Sequence, residues 1–242
     1  MNKTKKIDVI IPTYHPDEKL ERCLRMLKRQ TIQPQRILLI NTEEEFFHSK
    51  VFSTLKQGKI VHITKPEFDH GGTRNQAARM CDGEIMILLT QDAIPADEYL
   101  IENLLKPFED EEVCAAYGRQ MADKKDNPIE AYTRIFNYPK ESRIKSKKDL
   151  PELGIKTFFC SNVCAAYRKS EYDALGGFPL HTIFNEDMIF ASHLIEEGKK
   201  IAYVADAKVW HWHNYTAKEQ LKRNFDLAVS QVDAGGLFTK VK

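Results

Sequence analysis

Asp92 is the first residue of this chain whose type and position suggest chemistry. It follows the apolar run Leu88-Leu89 and comes shortly before Pro95, so it lies at the end of a predicted strand. Carboxylate oxygens are hard ligands for Mg²⁺ or Mn²⁺, which bridge a protein to the oxygens of a diphosphate. Taken alone, Asp92 could instead be a helix N-cap ahead of Pro95.

A second acidic element, Asn185-Glu186-Asp187, begins a predicted helix. Asn185 suits the N-cap, and the positive end of the helix dipole stabilises carboxylates in the first turn. Both acids could be ordinary surface residues, but the apolar residues on either side, such as Phe184 and Met188, make that less usual. A carboxylate here suits a general base directed at a hydroxyl. A protein with both elements is a candidate for moving a sugar from a nucleotide to an alcohol.

Two histidines alternate with tryptophans in the run Trp210-His211-Trp212-His213. In an extended chain, His211 and His213 share one face and the tryptophans the other. Two imidazoles on one side could supply a metal ligand and a hydrogen bond to a phosphate or hydroxyl.

Paired glycines precede a predicted helix in Asp69-His70-Gly71-Gly72-Thr73-Arg74. Glycines let the backbone approach a ligand closely, and the Arg74 guanidinium suits phosphates. The segment is neither a dinucleotide fingerprint nor a Walker loop. A plain loop followed by a capped helix is the alternative.

The elements that must position these residues alternate between strand and helix. The pattern predicts strands over 6–13, 36–40, 60–64 and 84–89, and helices around Leu20 to Leu27, over 43–56 and over 73–81. Such alternation predicts an α/β fold with a mostly parallel, doubly wound sheet, whose ligands bind at the carboxyl ends of the strands. Thr13, Asn41 and Asp92 would then share one rim. Further on, the pattern predicts a strand over 157–166, helices over 186–197 and 217–229, and extended chain over 201–204 and 208–210.

Composition excludes several classes of protein. The 242 residues carry a net charge of +1, which argues against bulk attraction to nucleic acid. The five cysteines are scattered and lack Cys-x-x-Cys spacing, so they are predicted to be reduced and buried. Neither a signal peptide nor a membrane-spanning run is evident, which predicts a cytoplasmic protein with at most peripheral membrane contact.

The segment from Lys140 to Asp149 is strongly basic and includes Lys145, Lys147 and Lys148. A solvated loop is the usual explanation, and without interleaved aromatics the signal for nucleic-acid binding is poor. In an enzyme, such a loop could instead meet an anionic lipid-phosphate acceptor.

Five motifs together resemble inverting family-2 glycosyltransferases with the GT-A fold, a Rossmann-like fold for nucleotide-diphospho-sugar transferases. They occur in the family's order: Ile10-Ile11-Pro12-Thr13-Tyr14, Gly72-Thr73-Arg74-Asn75, Thr90-Gln91-Asp92-Ala93, Asn185-Glu186-Asp187 and Trp210-His211. The Gln-Asp-Ala form and the run from His211 to Thr216 are similar to bacterial rhamnosyltransferases. The resemblance extends from Ile7 to about Gln231.

The resemblance implies roles for particular residues. Thr13 and Asn41 would line the nucleoside pocket, and Arg74 would lie near the ribose or pyrophosphate. Gln91 and Asp92 would contact the donor. Asp92 matches the last acid of the family's Asp-x-Asp metal motif, and His211 its late metal ligand, for Mg²⁺ or Mn²⁺. Asp187 matches the catalytic base, with Glu186 hydrogen-bonding the acceptor or orienting the base. Because Thr90 stands where the first acid would be, fewer protein ligands are expected to hold the metal.

The resemblance implies one GT-A domain over 1–242, with a nucleotide-sugar half over 1–118 and an acceptor-side half over 119–242. It leaves open that the chain continues beyond Lys242. The implied activity is transfer of L-rhamnose from dTDP-L-rhamnose to a bacterial surface polysaccharide or its lipid-linked precursor, near the inner face of the membrane. The alternatives are transfer from UDP-hexose or UDP-N-acetylhexosamine, and a non-catalytic sugar-nucleotide-binding module.

Overall fold

A computed structural model describes residues 5–122, 127–213 and 215–234. The first part of the chain forms a parallel sheet, as predicted, and its strand order is β3-β2-β1-β4. These strands are β1 (Ile7–Tyr14), β2 (Arg36–Thr42), β3 (Gly58–Ile63) and β4 (Ile85–Leu89). Val9 and Ile11 of β1 pack in one apolar cluster and Ile10 in another, so both faces of the sheet are buried.

The sheet opens between β1 and β4 at their carboxyl ends. Pairing of β1 with β4 ends at Ile10 and Leu88, whereas pairing with β2 continues to Tyr14. Pro12, which lacks an N–H, therefore lies where β1 has only one partner, the arrangement that a proline tolerates in a sheet. The gap is a crevice at the ends of two parallel strands, the usual ligand position in such folds.

The remaining strands make the sheet mixed rather than mostly parallel. In the described residues, β8 pairs antiparallel with both β4 and β6, whereas β9 runs parallel to β6. The full order is β3-β2-β1-β4-β8-β6-β9-β5, with β7 also on β9. The added strands are β5 (Ile94–Pro95), β6 (Val113–Met121), β7 (Arg143–Lys145), β8 (Cys164–Arg168) and β9 (Lys200–Trp210). Residue 118, the predicted boundary between the two halves, lies inside β6.

Helices cover both faces of the sheet, as predicted. Leu20 of α1 packs in one apolar cluster, and Ala77 of α2 and Phe190 of α7 pack in the other. The helices are α1 (Glu18–Leu27), α2 (His70–Arg79), α3 (Leu100–Leu105), α4 (Pro128–Asn137), α5 (Leu150–Leu153), α6 (Lys169–Ala174), α7 (Glu186–Glu196) and α8 (Ala217–Asp233).

Three local predictions were wrong. The expected helix over 43–56 is two short 3₁₀ turns, Glu44–Phe46 and Phe52–Thr54, separated by loop and turn residues. The helix expected from Thr73 begins at His70, because the Asp69 carboxylate accepts a hydrogen bond from the Gly72 N–H and caps it there. The strand expected over 157–166 begins only at Cys164.

The basic segment is also more ordered than a solvated loop. Residues Arg143–Lys145 form β7, and the Lys145 side chain is buried. Its ammonium group donates to the carbonyl oxygens of Lys156 and Phe159, which compensates for burying a charge. Lys147 and Lys148 are exposed. Within the described residues, we find no helix with the length and apolar character needed to cross a membrane.

Candidate active site

Strand register brings Asp92 to the two histidines. The short strand β5 pairs antiparallel with β9, with Ile94 opposite Trp210. Asp92 precedes Ile94 by two residues, so it meets the chain just beyond Trp210. Nε2 of His211 and Nδ1 of His213 each lie 3.5 Å from Oδ2 of Asp92. The predicted metal-binding pair of Asp92 and His211 thus has a third member, His213, to which the family resemblance gave no role.

The three side chains form a set that could hold a metal ion. Their potential ligand atoms all lie within 4.8 Å of one another. Burial lowers the pKa of His211 and brings that of His213 to about 4, so both imidazoles are neutral and offer lone pairs. Burial alone would raise the pKa of Asp92, but its hydrogen bond to His211 and the two imidazoles lower it further than burial raises it. One carboxylate and two imidazoles suit Mn²⁺ better than Mg²⁺, which prefers oxygen ligands.

Gln120, at the end of β6, and Arg134 both contact the other nitrogen of His211. Its Oε1 lies 2.9 Å from His211 Nδ1, and Arg134 Nη2 lies 3.0 Å from the same nitrogen. Arg134 also donates to this Gln120 oxygen, which fixes the orientation of the amide. A metal on Nε2 requires the hydrogen to be on Nδ1, where Gln120 Oε1 can accept it, whereas Arg134 can only donate and favours the tautomer without a hydrogen on Nδ1.

We expect Gln120→Met to weaken Mn²⁺ binding by about 10- to 100-fold, because His211 loses the acceptor that selects its metal-binding tautomer. Titration calorimetry would measure the affinity, and ¹⁵N NMR of the imidazole would report the tautomer. Gln120→Glu, which keeps an acceptor oxygen, is the matched control and should retain more affinity. Equal affinities for the wild type and Gln120→Met would contradict this role.

Asp187 lies at the start of α7, and two backbone N–H groups hold its carboxylate. Its Oδ2 accepts from the Asn162 N–H at 2.9 Å, and its Oδ1 accepts from the Met188 N–H at 2.8 Å. Burial and the neighbouring Glu186 carboxylate raise the pKa of Asp187 to about 7. A carboxylate whose pKa lies near neutrality is a stronger proton acceptor than an ordinary one and suits general-base chemistry.

Glu186 stays ionised beside it. Burial would raise the pKa of Glu186, but the Arg74 cation and a hydrogen bond from Asn162 lower it overall. Arg74 Nη1 lies 3.5 Å from Glu186 Oε1, and the Asn162 amide donates to the same oxygen at 3.1 Å. The structure thus places Arg74, predicted near the donor phosphates, in a buried ion pair with Glu186.

Asn185 does not cap α7 with its side chain, contrary to the prediction. Its backbone is in the left-handed region, with φ 66°, which asparagine tolerates better than most residues. The side-chain amide instead donates to the carbonyl oxygen of Leu227 in α8 at 3.3 Å. Asn185 thus forms the turn that leads into Glu186 and Asp187, and its side chain connects this turn to α8.

One short segment, Ser161-Asn162-Val163, connects the histidine cluster to the acidic pair. The Ser161 hydroxyl accepts from Gln120 at 2.9 Å, and Asn162 holds both acids as described. The Val163 carbonyl accepts from the Thr90 N–H, two residues before Asp92, at 3.2 Å. A shift of this segment would therefore move both groups of residues.

Thr13 and Asn41 lie side by side at the ends of β1 and β2, as the predicted shared rim requires. They are register partners, and the Thr13 hydroxyl donates to Asn41 Oδ1 at 2.9 Å. Asn41 is fully buried, and its amide nitrogen contacts the Glu43 carbonyl at 3.0 Å and His62 Nδ1 at 3.1 Å. Both side chains are therefore buried at the rim and bonded to each other.

Gln91 bridges the crevice between β1 and β4. Its side-chain amide accepts from the Tyr14 N–H and donates to the Tyr14 carbonyl, both at 3.0 Å. Next to it, the rings of Tyr14, His15 and Phe46 form an exposed cluster, with His15 and Phe46 stacked at 3.8 Å. Sequence reasoning missed this aromatic cluster, because Phe46 falls in the segment predicted to be helical.

The paired glycines serve the packing of the chain itself. A Cβ on Gly71 would lie 1.9 Å from the Pro179 carbonyl oxygen, so only glycine fits where the loop before α7 crosses α2. This contact, rather than a ligand, accounts for Gly71. It holds the loop that carries the acidic pair against the helix that carries Arg74.

Several supporting residues had no signal in the sequence. Gln120, Arg134 and Asn162 have partners that are far away in the chain, so nothing in their own segments indicates a role at the site. Only strand register and the position of α4 bring them to the site. For His213 there was a signal, the alternation with tryptophan, since it shares a face with His211.

Solved structures identify the fold. The chain superposes with a TM-score of 0.67 on a mannosyltransferase from Pyrobaculum calidifontis, solved with GDP-Man and Mn²⁺, at 16% identity over 96% of this chain and 64% of that one. It also superposes on Staphylococcus aureus TarS, residues 1–349, with a TM-score of 0.63 at 15% identity, over 95% of this chain and 66% of that one. The fold is the GT-A glycosyltransferase fold, as predicted.

Residues 8–176 match the family described as Glycosyl transferase family 2. The chain is 45% identical over 225 residues to the O-antigen chain rhamnosyltransferase RfbN of Salmonella typhimurium, covering 93% of this chain and 72% of the relative. It is 43% identical over 223 residues to the O-antigen chain rhamnosyltransferase WbaN of Salmonella anatum, covering 91% and 70%. The chain therefore belongs to glycosyl transferase family 2 and is a glycosyltransferase.

Proposed function

We propose that the protein is an inverting, Mn²⁺-assisted rhamnosyltransferase. It would transfer L-rhamnose from dTDP-L-rhamnose to a hydroxyl of a bacterial surface polysaccharide of the O-antigen type, or of its lipid-linked precursor. The observation that carries the choice of sugar and acceptor is the 45% identity to an O-antigen chain rhamnosyltransferase over 93% of the chain.

Donor binding is assigned to the first half of the chain, residues 1–118, at the crevice between β1 and β4. Thr13 and Asn41 would support the nucleoside pocket, and Gln91 would keep the two strand ends at a fixed spacing. The exposed rings of His15 and Phe46 offer a surface on which a base can stack. Asp92, His211 and His213 would hold the metal, which, when bound, neutralises charge on the departing diphosphate.

Asp187 is the proposed catalytic base. As the acceptor oxygen forms its bond to C1 of the sugar, Asp187 takes the hydroxyl proton, and the bond from C1 to the diphosphate oxygen breaks. Attack from the side opposite the leaving group inverts the anomeric centre. Glu186, ionised beside Arg74, keeps the pKa of Asp187 high by charge repulsion and orients the base.

A donor screen tests the proposed substrate. We expect dTDP release from dTDP-L-rhamnose with Mn²⁺ and an O-antigen-type acceptor, and much slower release from UDP-glucose, UDP-galactose or UDP-N-acetylglucosamine. NMR of the product should show the anomeric configuration opposite to that of the donor. Faster release from any UDP-sugar would overturn the choice of donor, and donor binding without turnover on any acceptor would favour a non-catalytic module.

Because the lipid-linked form of the proposed acceptor lies in the membrane, we propose that the protein acts at the inner face of the bacterial membrane and is held there peripherally. The exposed cations Lys147 and Lys148 are compatible with this location. The placement is part of the same proposal and depends on the same acceptor.

A further inference from the structure

Two helices of the described structure, α4 and α8, expose their apolar side chains to solvent. A surface helix normally turns its apolar stripe inward. On α4 and α8 the apolar stripe faces outward instead. These two helices carry eight of the sixteen large hydrophobic side chains that are exposed in the described residues, so the exposure is concentrated rather than scattered.

On α4, the polar side faces the active site. Glu130 accepts from the His213 N–H at 3.1 Å, and Arg134 contacts His211 Nδ1. On the other side lies a stripe at helical spacing whose members are 57% to 71% exposed: Ile129, Tyr132, Ile135 and Phe136. Glu130 and Arg134 of this helix thus contact the site, and the apolar stripe has no covering element among the described parts of the chain.

On α8, the arrangement is the same. Ser230 is its one buried residue, and the Ser230 hydroxyl donates to the carbonyl of Phe184, two residues before α7 begins. The opposite side presents Leu221, Phe225 and Val232, which are 67% to 71% exposed. Phe225 follows Leu221 by 4 positions and Val232 follows it by 11, so all three lie on one side of the α-helix.

Cations border both stripes. The Lys156 ammonium lies 4.2 Å from the ring centroid of Phe136. On α8, the exposed Lys218 and Lys222 each precede a stripe residue, Leu221 and Phe225 respectively, by three positions and are therefore its neighbours. Apolar and aromatic side chains bordered by lysines are typical of helices that lie in the interface of an anionic bilayer.

We propose that the outward stripes of α4 and α8 form a docking surface for the anionic headgroup region of a lipid bilayer. A second copy of the chain fits less well, because a symmetric interface would bring the bordering lysines toward those of the partner. The proposal rests on the proposed function and deepens it, since docking through α4 would hold the histidine cluster next to the membrane that carries the acceptor.

Vesicle binding tests the surface. The protein should cosediment with vesicles containing phosphatidylglycerol and much less with pure phosphatidylcholine. The double variant Ile135→Ser/Phe225→Ser should reduce binding by roughly tenfold or more for each side chain removed. Lys218→Gln and Lys222→Gln should each reduce binding by about fivefold. Met80→Ser, an exposed apolar residue at the end of α2, is the matched control and should bind like the wild type.

Two further measurements separate this proposal from the proposed function. With a water-soluble acceptor, the double variant should transfer rhamnose as fast as the wild type. No vesicle binding together with normal transfer would overturn only the docking surface, and vesicle binding without rhamnosyl transfer would overturn only the proposed function. A dimer in sedimentation velocity that Ile135→Ser/Phe225→Ser dissociates would show that the stripes cover a second copy and would overturn docking to lipid.

Discussion

Asp187→Asn should lower the turnover number by roughly 10²- to 10⁴-fold, the usual contribution of a positioned general base. The amide has nearly the same shape as the carboxylate but cannot accept the proton of the acceptor hydroxyl. Donor affinity should change little, because the carboxylate is held by the backbone of Asn162 and Met188 and is not one of the cluster's three possible metal ligands. Steady-state kinetics and calorimetric titration with the donor would measure both quantities.

Asp206→Asn is the matched control for this variant. Asp206 is exposed in β9, and the same chemical change there should leave turnover unaltered. Thermal unfolding should show that both variants are folded. If Asp187→Asn lost donor affinity and turnover to the same extent, the assignment of Asp187 as the base would be wrong.

The pH profile gives a second measurement of the same residue. Burial and the Glu186 carboxylate raise the pKa of Asp187 to about 7, so the basic form is lost as the pH falls through neutrality. The value of kcat/KM should therefore fall on acidification well above the range of an ordinary carboxyl group. Glu186→Gln removes the repelling charge and should move this acid limb to lower pH. A limb that stays in place would contradict the electrostatic role of Glu186.

Asp92→Asn should weaken Mn²⁺ binding by at least about 100-fold, more than the usual loss of a supporting residue, because Asp92 is the one carboxylate in the described cluster. Turnover should fall with metal occupancy. Calorimetry or electron paramagnetic resonance would measure Mn²⁺ affinity. His213→Ala should produce a smaller loss of Mn²⁺ affinity, because Asp92 and His211 remain. The size of that loss would show whether His213 serves as the metal ligand that the family's acid would provide at the position of Thr90.

Asp97→Asn is the matched control for Asp92→Asn. Asp97 lies in the β5–α3 connection, and its carboxylate is near Lys208. The Asp97→Asn variant should retain both metal binding and transfer. Wild-type Mn²⁺ affinity in Asp92→Asn would show that the metal, if used, is held elsewhere. Unchanged transfer in that variant would show that the reaction does not depend on this cluster.

Much of the first half of the fold is readable from local patterns. The strands β1, β2 and β4 are short buried apolar runs, and the apolar residues of α1 recur at helical spacing. Polar residues directly after such strands predict a ligand-binding rim, since parallel strands end at one edge of a sheet. Asp92 and the acidic pair stood out for the same reason: each is a charged group at the boundary of an apolar element.

Local patterns failed where a distant partner decided the outcome. The segment over 43–56 is amphipathic enough to suggest a helix, yet it forms 3₁₀ turns where Phe47 and Phe52 pack against the sheet edge. The mixed order of β8, β6 and β9 depends on which strands pair, and nothing within one strand specifies its neighbour. The burial of Lys145 likewise depends on the pairing of β7 with β9.

Residue types and their order along the chain were enough to suggest a GT-A glycosyltransferase with Asp92, Asp187 and His211 at its centre. Folding added His213 to the possible metal ligands, gave His211 its Gln120 acceptor and joined the acids to the cluster through Asn162. It also turned the stripes of α4 and α8 outward. The physical reason is that strand register and helix orientation are set by the whole core, so the partner of a polar side chain cannot be found from its own segment.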